Sequence, residues 1–483
     1  MTALIVLTVT MQVLFLLTVA VTLWFYRLPV NWVSPARCDP DTYPGGPPPI
    51  VLFYPVLHEP EATMRTTFLG LENADYPTHL KRVVAIPNSD DKQTIQSLRR
   101  LQRQFGWLEV APVPPTTDRS WDVVFDAWEA NPKAYWWHTG RRAGQRDLPP
   151  KKTRQLVWAM YQLVQSCPDR RTLLSYIDAD TVIPPDYWYA GATGADEFDV
   201  TQTVNITGNS LESWSTSFHA MDHIGWDASI YPHMSADGKH PFYVLGKGLF
   251  FRLTDLVEIG GFHPWLTIED PEVGMRLWTN GRRLGIIASA LIEEVPATWR
   301  RGFTQRKRWI AGFFQSLTGA LVGMGMPWKA RLRARLNLVP VLSLMLNPLA
   351  LLTATWAVVE VAVLGQHLPM WVNVLSAASL LVGIPLMMYR WNLAWAKTAQ
   401  VLPRKRDRLM FTLRVNPLFS FVYGIWWIAP IMRGLSMYVL DQGLRWERTV
   451  KTDANHDLIR DHLRISTLDT EPDSLLETER KAS

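Results

Sequence analysis

Apolar and polar positions sort this chain into membrane-type stretches and a central mixed region. Residues 3–26 carry no charge and are long enough to cross a bilayer, which takes about 20 apolar residues. The basic start, short apolar core and small-residue cleavage site of a secretory leader are not evident, so the segment predicts an uncleaved anchor. Residues 337–359 and 368–389 are two further uncharged stretches. The short polar piece Gly365-Gln366-His367 separates them, which predicts a transmembrane hairpin. Residues 415–432 are apolar but contain Pro417 and Pro430, bracketed by Arg414 and Arg433. This segment either crosses the membrane or turns back within it. From Asp453 onward the tail is polar and acid-rich, a composition that predicts little order.

Between the anchor and the hairpin the pattern changes. Ile50-Val51-Leu52-Phe53-Tyr54, Val83-Val84-Ala85-Ile86, Leu173-Leu174-Ser175-Tyr176-Ile177 and Val200-Thr201-Gln202-Thr203-Val204 read as short buried strands. Helical spacing lies between them, with Ile95, Leu98, Leu101 and Phe105 on one face and Leu156, Met160 and Leu163 on another. Alternation of this kind predicts an α/β, Rossmann-like domain with a largely parallel sheet. Ligands of such sheets bind beyond the carboxyl ends of the strands.

Charge fixes the expected orientation. The chain has a net charge of +5 and a pI near 9.1, yet much of the basic excess sits beside the apolar spans. Arg331, Arg333 and Arg335 precede the hairpin, and Lys397, Arg404, Lys405, Arg406 and Arg408 follow it. The positive-inside rule puts both flanks in the cytosol. Arg27 and Arg37 put the end of the anchor there too, so residues 40–330 are expected to be cytosolic. The same placement argues against a nucleic-acid partner. Cys38 and Cys167 are far apart and lack metal-ligand spacing, which fits a reducing compartment.

Three polar clusters carry candidate chemistry. Asp178-Ala179-Asp180 directly follows an apolar strand. Residues two apart on an extended chain share a side, so Asp178 and Asp180 can share a hard divalent cation, Mg²⁺ or Mn²⁺, with a diphosphate completing its oxygen shell. A solvated turn before Pro184-Pro185 is the plain alternative. In Ile268-Glu269-Asp270-Pro271, Asp270 suits a helix N-cap with Pro271 in the first turn and an end near Asn280-Gly281. It equally suits a general base that takes the proton of an attacking hydroxyl. In Gln305-Arg306-Lys307-Arg308-Trp309, basic residues and Trp fit an interfacial helix. Arg can also clamp a diphosphate, and Trp can stack on a sugar.

The order of these clusters, followed by apolar helices, resembles the membrane-bound family 2 glycosyltransferases, the group of cellulose, chitin and hyaluronan synthases. The resemblance runs from about residue 50 to 450. Pro55-Val56-Leu57-His58-Glu59, Lys152, Gln202-Thr203, Gly246-Lys247-Gly248, Phe251-Arg252, Gly260-Gly261-Phe262, Trp446 and Thr449 follow the family's order. The aspartate-rich segment after the second strand is altered to Ile86-Pro87-Asn88-Ser89-Asp90-Asp91, and Lys247 replaces a small or hydroxyl residue.

The resemblance implies a GT-A-like cytosolic domain over residues 45–302. It follows an anchor at 1–30 and precedes an interfacial helix at 303–330, a hairpin at 336–396, a basic loop and membrane or re-entrant segment at 397–450, and a tail at 451–483. It implies inverting, metal-dependent transfer from a nucleotide-diphosphate sugar, first of all a UDP-sugar, to a growing glycan in an integral plasma- or inner-membrane protein. Asp270, with Glu269, would be catalytic. Asn88, Asp90, Lys152, Asp178, Gln305, Arg306 and Arg308 would bind the donor, and Trp309 the acceptor. A glycolipid product from single transfer, or a scaffold on a degenerate transferase fold, are the alternatives. A homo-oligomer or partner subunit could complete a glycan path.

Overall fold

The computed structural model describes residues 2–34, 46–167, 169–238, 240–440 and 455. A seven-stranded sheet organises the soluble half, in the order β3-β2-β1-β4-β6-β5-β7. Its strands are β1 (Ile50–Val56), β2 (Lys81–Pro87), β3 (Leu108–Val110), β4 (Leu173–Tyr176), β5 (Val200–Thr207), β6 (Leu249–Arg252) and β7 (Leu284–Glu293). β1, β4 and β5 are buried along their whole length, which explains their continuous apolar or small-polar character. The sheet is mixed rather than largely parallel, because β6 runs antiparallel to both β4 and β5. At only four residues, β6 is too short to show a period of its own. Helices cover both faces, and two apolar clusters fill the layers, one around Trp121, Trp128 and Tyr176, the other around Tyr54, Phe68 and Trp188.

The segments that carry function are set by local chemistry. Helix Lys152–Ser166 puts Leu156, Met160 and Leu163 inward. Helix Asp270–Thr279 has Pro271 in its first turn and ends at Asn280, followed by Gly281 at a φ of 76°. Its N-cap is Glu269 rather than Asp270, and no side chain caps it, so the Asp270 carboxylate is not used as a cap. The basic helix starts earlier than expected, at Trp299, because Thr298 Oγ1 accepts from Arg301 N at 3.3 Å. It ends at Leu317, and separate helices follow at Gly319–Gly323 and Trp328–Leu336.

Among the described residues, three helices are long and apolar enough to cross a membrane: Thr2–Phe25, Met370–Gln400 and Pro417–Val439. Helix Val339–Ala362 packs beside the first two, with an apolar part over Leu346–Ala362. Phe15, Val19, Ala350 and Leu386 form their shared core, and Gln12 Nε2 donates to Ser376 Oγ at 3.0 Å inside it. The prolines of the last apolar segment stand near the starts of its two helices, Pro417–Trp426 and Ile428–Val439, which meet at Trp427. Pro417 sits in a first turn capped by Asn416, and Pro430 is the third residue of helix Ile428–Val439, where a backbone N–H has no intrahelical partner to lose. Residues 451–454 and 456–483 of the tail, with Arg37, Cys38, Trp446 and Thr449, lie outside the described residues.

One close approach ties fold to site. A Cβ on Gly274 would stand 2.5 Å from Tyr243 Cα and 2.6 Å from Val244 N, so helix Asp270–Thr279 rests directly on the backbone leading to Gly246. Gly274→Ala should cost about 1–3 kcal/mol through overpacking. A melting curve of the purified protein in detergent checks this. An unchanged midpoint would mean that the contact is slack.

Candidate functional site

The strand ends and helix starts converge on a cavity of about 440 Å³. Asp178, Asp180, Lys151, Lys152, Glu269 and Asp270 line its polar wall. The acidic turn is held by its backbone, since Tyr54 Oη and Thr67 Oγ1 both donate to the Ala179 carbonyl, at 2.7 and 2.9 Å. Asp180 is buried, with Oδ2 accepting from Glu294 N at 2.9 Å. Asn455 Nδ2 donates to the Asp180 carbonyl at 3.1 Å. The Asp178 side chain is 40 % exposed and turns toward the opening.

Lys152 links the two acidic clusters. Its Nζ lies 2.7 Å from Asp178 Oδ1 and 2.5 Å from the Gly246 carbonyl, over the ring of Tyr176. Burial works against its charge, but Asp178, Glu269 and Asp270 outweigh this and hold the ammonium above its ordinary range. Gly246 belongs to a segment braced by Gln202, whose Nε2 donates to the Lys247 carbonyl at 2.6 Å while its Oε1 accepts from Leu245 N at 2.9 Å. A Cβ at Gly246 would stand 3.0 Å from the Asp270 carboxylate, so glycine permits this approach. Burial, and then the charge of Glu269, push Asp270 up to about 7. Burial also raises Glu269, against the opposing pull of Lys152. Lys151 is lowered to about 8, mainly by burial, and its Nζ donates to the Leu266 carbonyl at 3.0 Å.

Gln305, Arg308 and Trp309 line the same cavity from helix Trp299–Leu317. Arg306 does not. It is fully buried behind that wall, with Nε 2.8 Å from Asp222 Oδ2 and its guanidinium among Trp309, Trp426 and Trp427. Tyr423 Oη and Trp427 Nε1 also donate to Asp222, at 2.6 and 3.2 Å. Through Asp222, Arg306 links the basic helix to the apolar helices that carry Tyr423 and Trp427. Asn88 and Asp90 are absent from the cavity wall too. Asn88 is buried, with Oδ1 accepting from Arg154 Nη2 at 2.8 Å, and Asp90 is exposed.

Sequence reasoning missed His223 and Asp227, which line the cavity with Nδ1 and Oδ2 2.7 Å apart. Their four-residue spacing on a helix was the available signal. The cavity also continues among the apolar helices, past Leu342, Met387, Phe421 and Ile431. A pocket that joins paired carboxylates, a lysine and an arginine to a membrane-facing wall is suited to bringing a charged soluble molecule against one held in lipid.

The model of glycosyl transferase family group 2 matches residues 173–440, more than half of the chain, from β4 to the last membrane span. The chain belongs to that family and is a glycosyltransferase. In fold it is similar to the mannosyltransferase PcManGT from Pyrobaculum calidifontis, solved in complex with GDP-Man and Mn2+. That match has 16% identity and a TM-score of 0.51, covering 91% of this chain and 99% of the other. S. aureus TarS 1-349 gives 12% identity and a TM-score of 0.35, over 78% of this chain and 91% of that one. No curated protein sequence matches the chain.

The role of Arg306 is open to test by stability. Arg306→Met leaves Asp222 without its cation and should cost about 3 kcal/mol or more, while Arg306→Lys should retain part of this. Thermal melting in detergent measures both. Equal midpoints for Met and wild type would show that the pair contributes nothing.

Proposed function

We propose that the chain transfers a sugar, with inversion, from a nucleotide-diphosphate sugar to a hydroxyl delivered from the membrane. The observation that carries this reading is the shared cavity, in which Asp178, Asp180, Asp270, Arg308 and Trp309 meet side chains of the apolar helices. The donor diphosphate lies along Asp178, Lys152 and Arg308, where fixed positive charge offsets the negative charge developing on the leaving group. Asp270 accepts the proton of the attacking hydroxyl. A bond forms from that oxygen to the anomeric carbon while the bond to the diphosphate breaks, and the nucleoside diphosphate departs. Attack from the opposite face turns an α-linked donor into a β-linked product. Trp309 offers a stacking surface for the acceptor, and the catalytic cavity faces the cytosol.

Asp178 and Asp180 would hold Mg²⁺ or Mn²⁺. Among the described residues no group of three or more His, Cys, Asp and Glu is arranged to hold a metal ion, so the donor's oxygens would have to complete the shell. An all-oxygen set of this kind fits a hard cation. When bound, the cation stabilises charge on the diphosphate oxygens. The Mn2+ and GDP-Man in the Pyrobaculum calidifontis mannosyltransferase support the pairing of metal with nucleotide sugar. A UDP-sugar is the first donor to test, with GDP-sugars beside it. A growing glycan and a lipid are the two acceptors weighed, and the apolar wall around Leu342, Met387 and Ile431 favours the lipid.

Nucleoside diphosphate release from the purified full chain in lipid tests the reaction. Asp270→Asn should lower turnover by about a hundred- to ten-thousand-fold and leave donor binding near wild type. Asp178→Ala, or removal of divalent cations with EDTA, should abolish release. Normal turnover of Asp270→Asn would exclude it as the base.

The pH profile gives a separate check. Asp270 must be ionised to act, and its value of about 7 means kcat/KM rises with pH through neutrality. Glu269→Gln removes a neighbouring negative charge, so the acid limb should move to lower pH. A limb that stays in place would separate Glu269 from the titration.

A further inference from the structure

The membrane end of the cavity holds two polar groups that the transfer reaction does not use. Arg390, on helix Met370–Lys397, lines the cavity, and its buried Nη2 has no hydrogen-bond partner among the described residues. Asn347, on helix Val339–Ala362, also lines it, is 2 % exposed, and has an unpartnered Oδ1 among the same residues. Around them stand Leu342, Pro348, Met387, Phe421 and Ile431.

A guanidinium near a membrane helix end ordinarily extends toward headgroups and water. This one instead has a buried nitrogen without a hydrogen-bond partner among the described residues, on a side chain that lines the cavity shared with Asp178, Asp180 and Asp270. No carboxylate pairs with it among the described residues. An ionisable group held inside a membrane domain is costly unless it is paired, and such groups mark ligand sites. The planar fork of arginine matches phosphate oxygens. A neutral glycan would leave that charge unmet, and the apolar walls fit acyl or isoprenoid chains better than sugar hydroxyls.

We propose that this end of the cavity binds a phosphodiester lipid with a hydroxylated head group, its phosphate at Arg390 and its tails between the helices. The head-group hydroxyl then extends toward Asp270 and receives the sugar. This deepens the proposed function and rests on it for the transfer step. The binding step stands apart from it.

The test uses the full chain in dodecyl maltoside, with lipid binding followed by native mass spectrometry. The probes are phosphatidylglycerol and diacylglycerol with matched acyl chains. Wild type should prefer phosphatidylglycerol by about tenfold or more, as expected for charge-assisted bonds. Arg390→Gln should lose that preference, Arg390→Lys should keep part of it, and Asp270→Asn should keep all of it. Excess inorganic phosphate should not displace the lipid. Equal binding of the two lipids by wild type, or retained preference in Arg390→Gln, would overturn the proposal. If Arg390→Gln does not fold, the wild-type preference and the intermediate effect of Arg390→Lys still decide. Binding of a uronate oligosaccharide that depends on Arg390, without phosphatidylglycerol selectivity, would also overturn it. Sugar transfer onto phosphatidylglycerol is read separately. Selective binding without transfer from any donor supports the lipid site and counts against the proposed reaction alone.

Discussion

Lys152 reaches Asp178 at 2.7 Å and the Gly246 carbonyl at 2.5 Å, and both Glu269 and Asp270 act on its charge. The rest of the site depends on this arrangement. Several carboxylates crowded into a buried space repel one another and pay for desolvation, and one well-placed ammonium allows them to coexist. Lys152 is also the first residue of its helix, where the macrodipole disfavours a cation. Local preference gives way there to the needs of the site, as expected where function overrides consistency.

The same cavity joins two kinds of wall. Its polar wall is built from ends of the sheet and from helix starts, and its apolar wall from helices long or apolar enough to suit a membrane. The basic helix Trp299–Leu317 stands between them, with Arg308 and Trp309 toward the cavity and Arg306 buried against Asp222. Gly312 and Gly434 let the neighbouring elements come close. A Cβ on Gly312 would stand 2.2 Å from Ile268 Cγ1, and one on Gly434 would stand 2.7 Å from the Lys307 carbonyl oxygen. The segment before Asp270 and the apolar helix Ile428–Val439 are thereby held against one helix, so a shift of that apolar helix would be felt at the wall that carries Asp270.

Much of this was legible in the sequence. Strands with continuous apolar runs, such as β1 and β4, declare themselves, and so do the apolar helices Thr2–Phe25 and Met370–Gln400. Asp178, Asp180, Lys152, Glu269, Asp270, Gln305, Arg308 and Trp309 do line one cavity, and it was the order of their clusters along the chain, rather than any one of them alone, that pointed to a common site. The antiparallel β6 was not legible, since its direction is set by tertiary pairing with β4 and β5. The direction of Arg306 was hidden for a related reason. Adjacent basic residues on a helix face different sides, and only the positions of Asp222 and Tyr423, far apart in sequence, decide which one is buried. Asn88 and Asp90 were placed by resemblance alone, and Arg154 draws the Asn88 side chain to itself.

The central claim is that Asp270 activates an acceptor hydroxyl for a single displacement at the anomeric carbon. The configuration of the product tests it most directly. Sugar transferred from an α-linked nucleotide donor should appear as a β-glycoside when the isolated product is read by proton NMR. An α-glycoside would mean retention and would contradict the account.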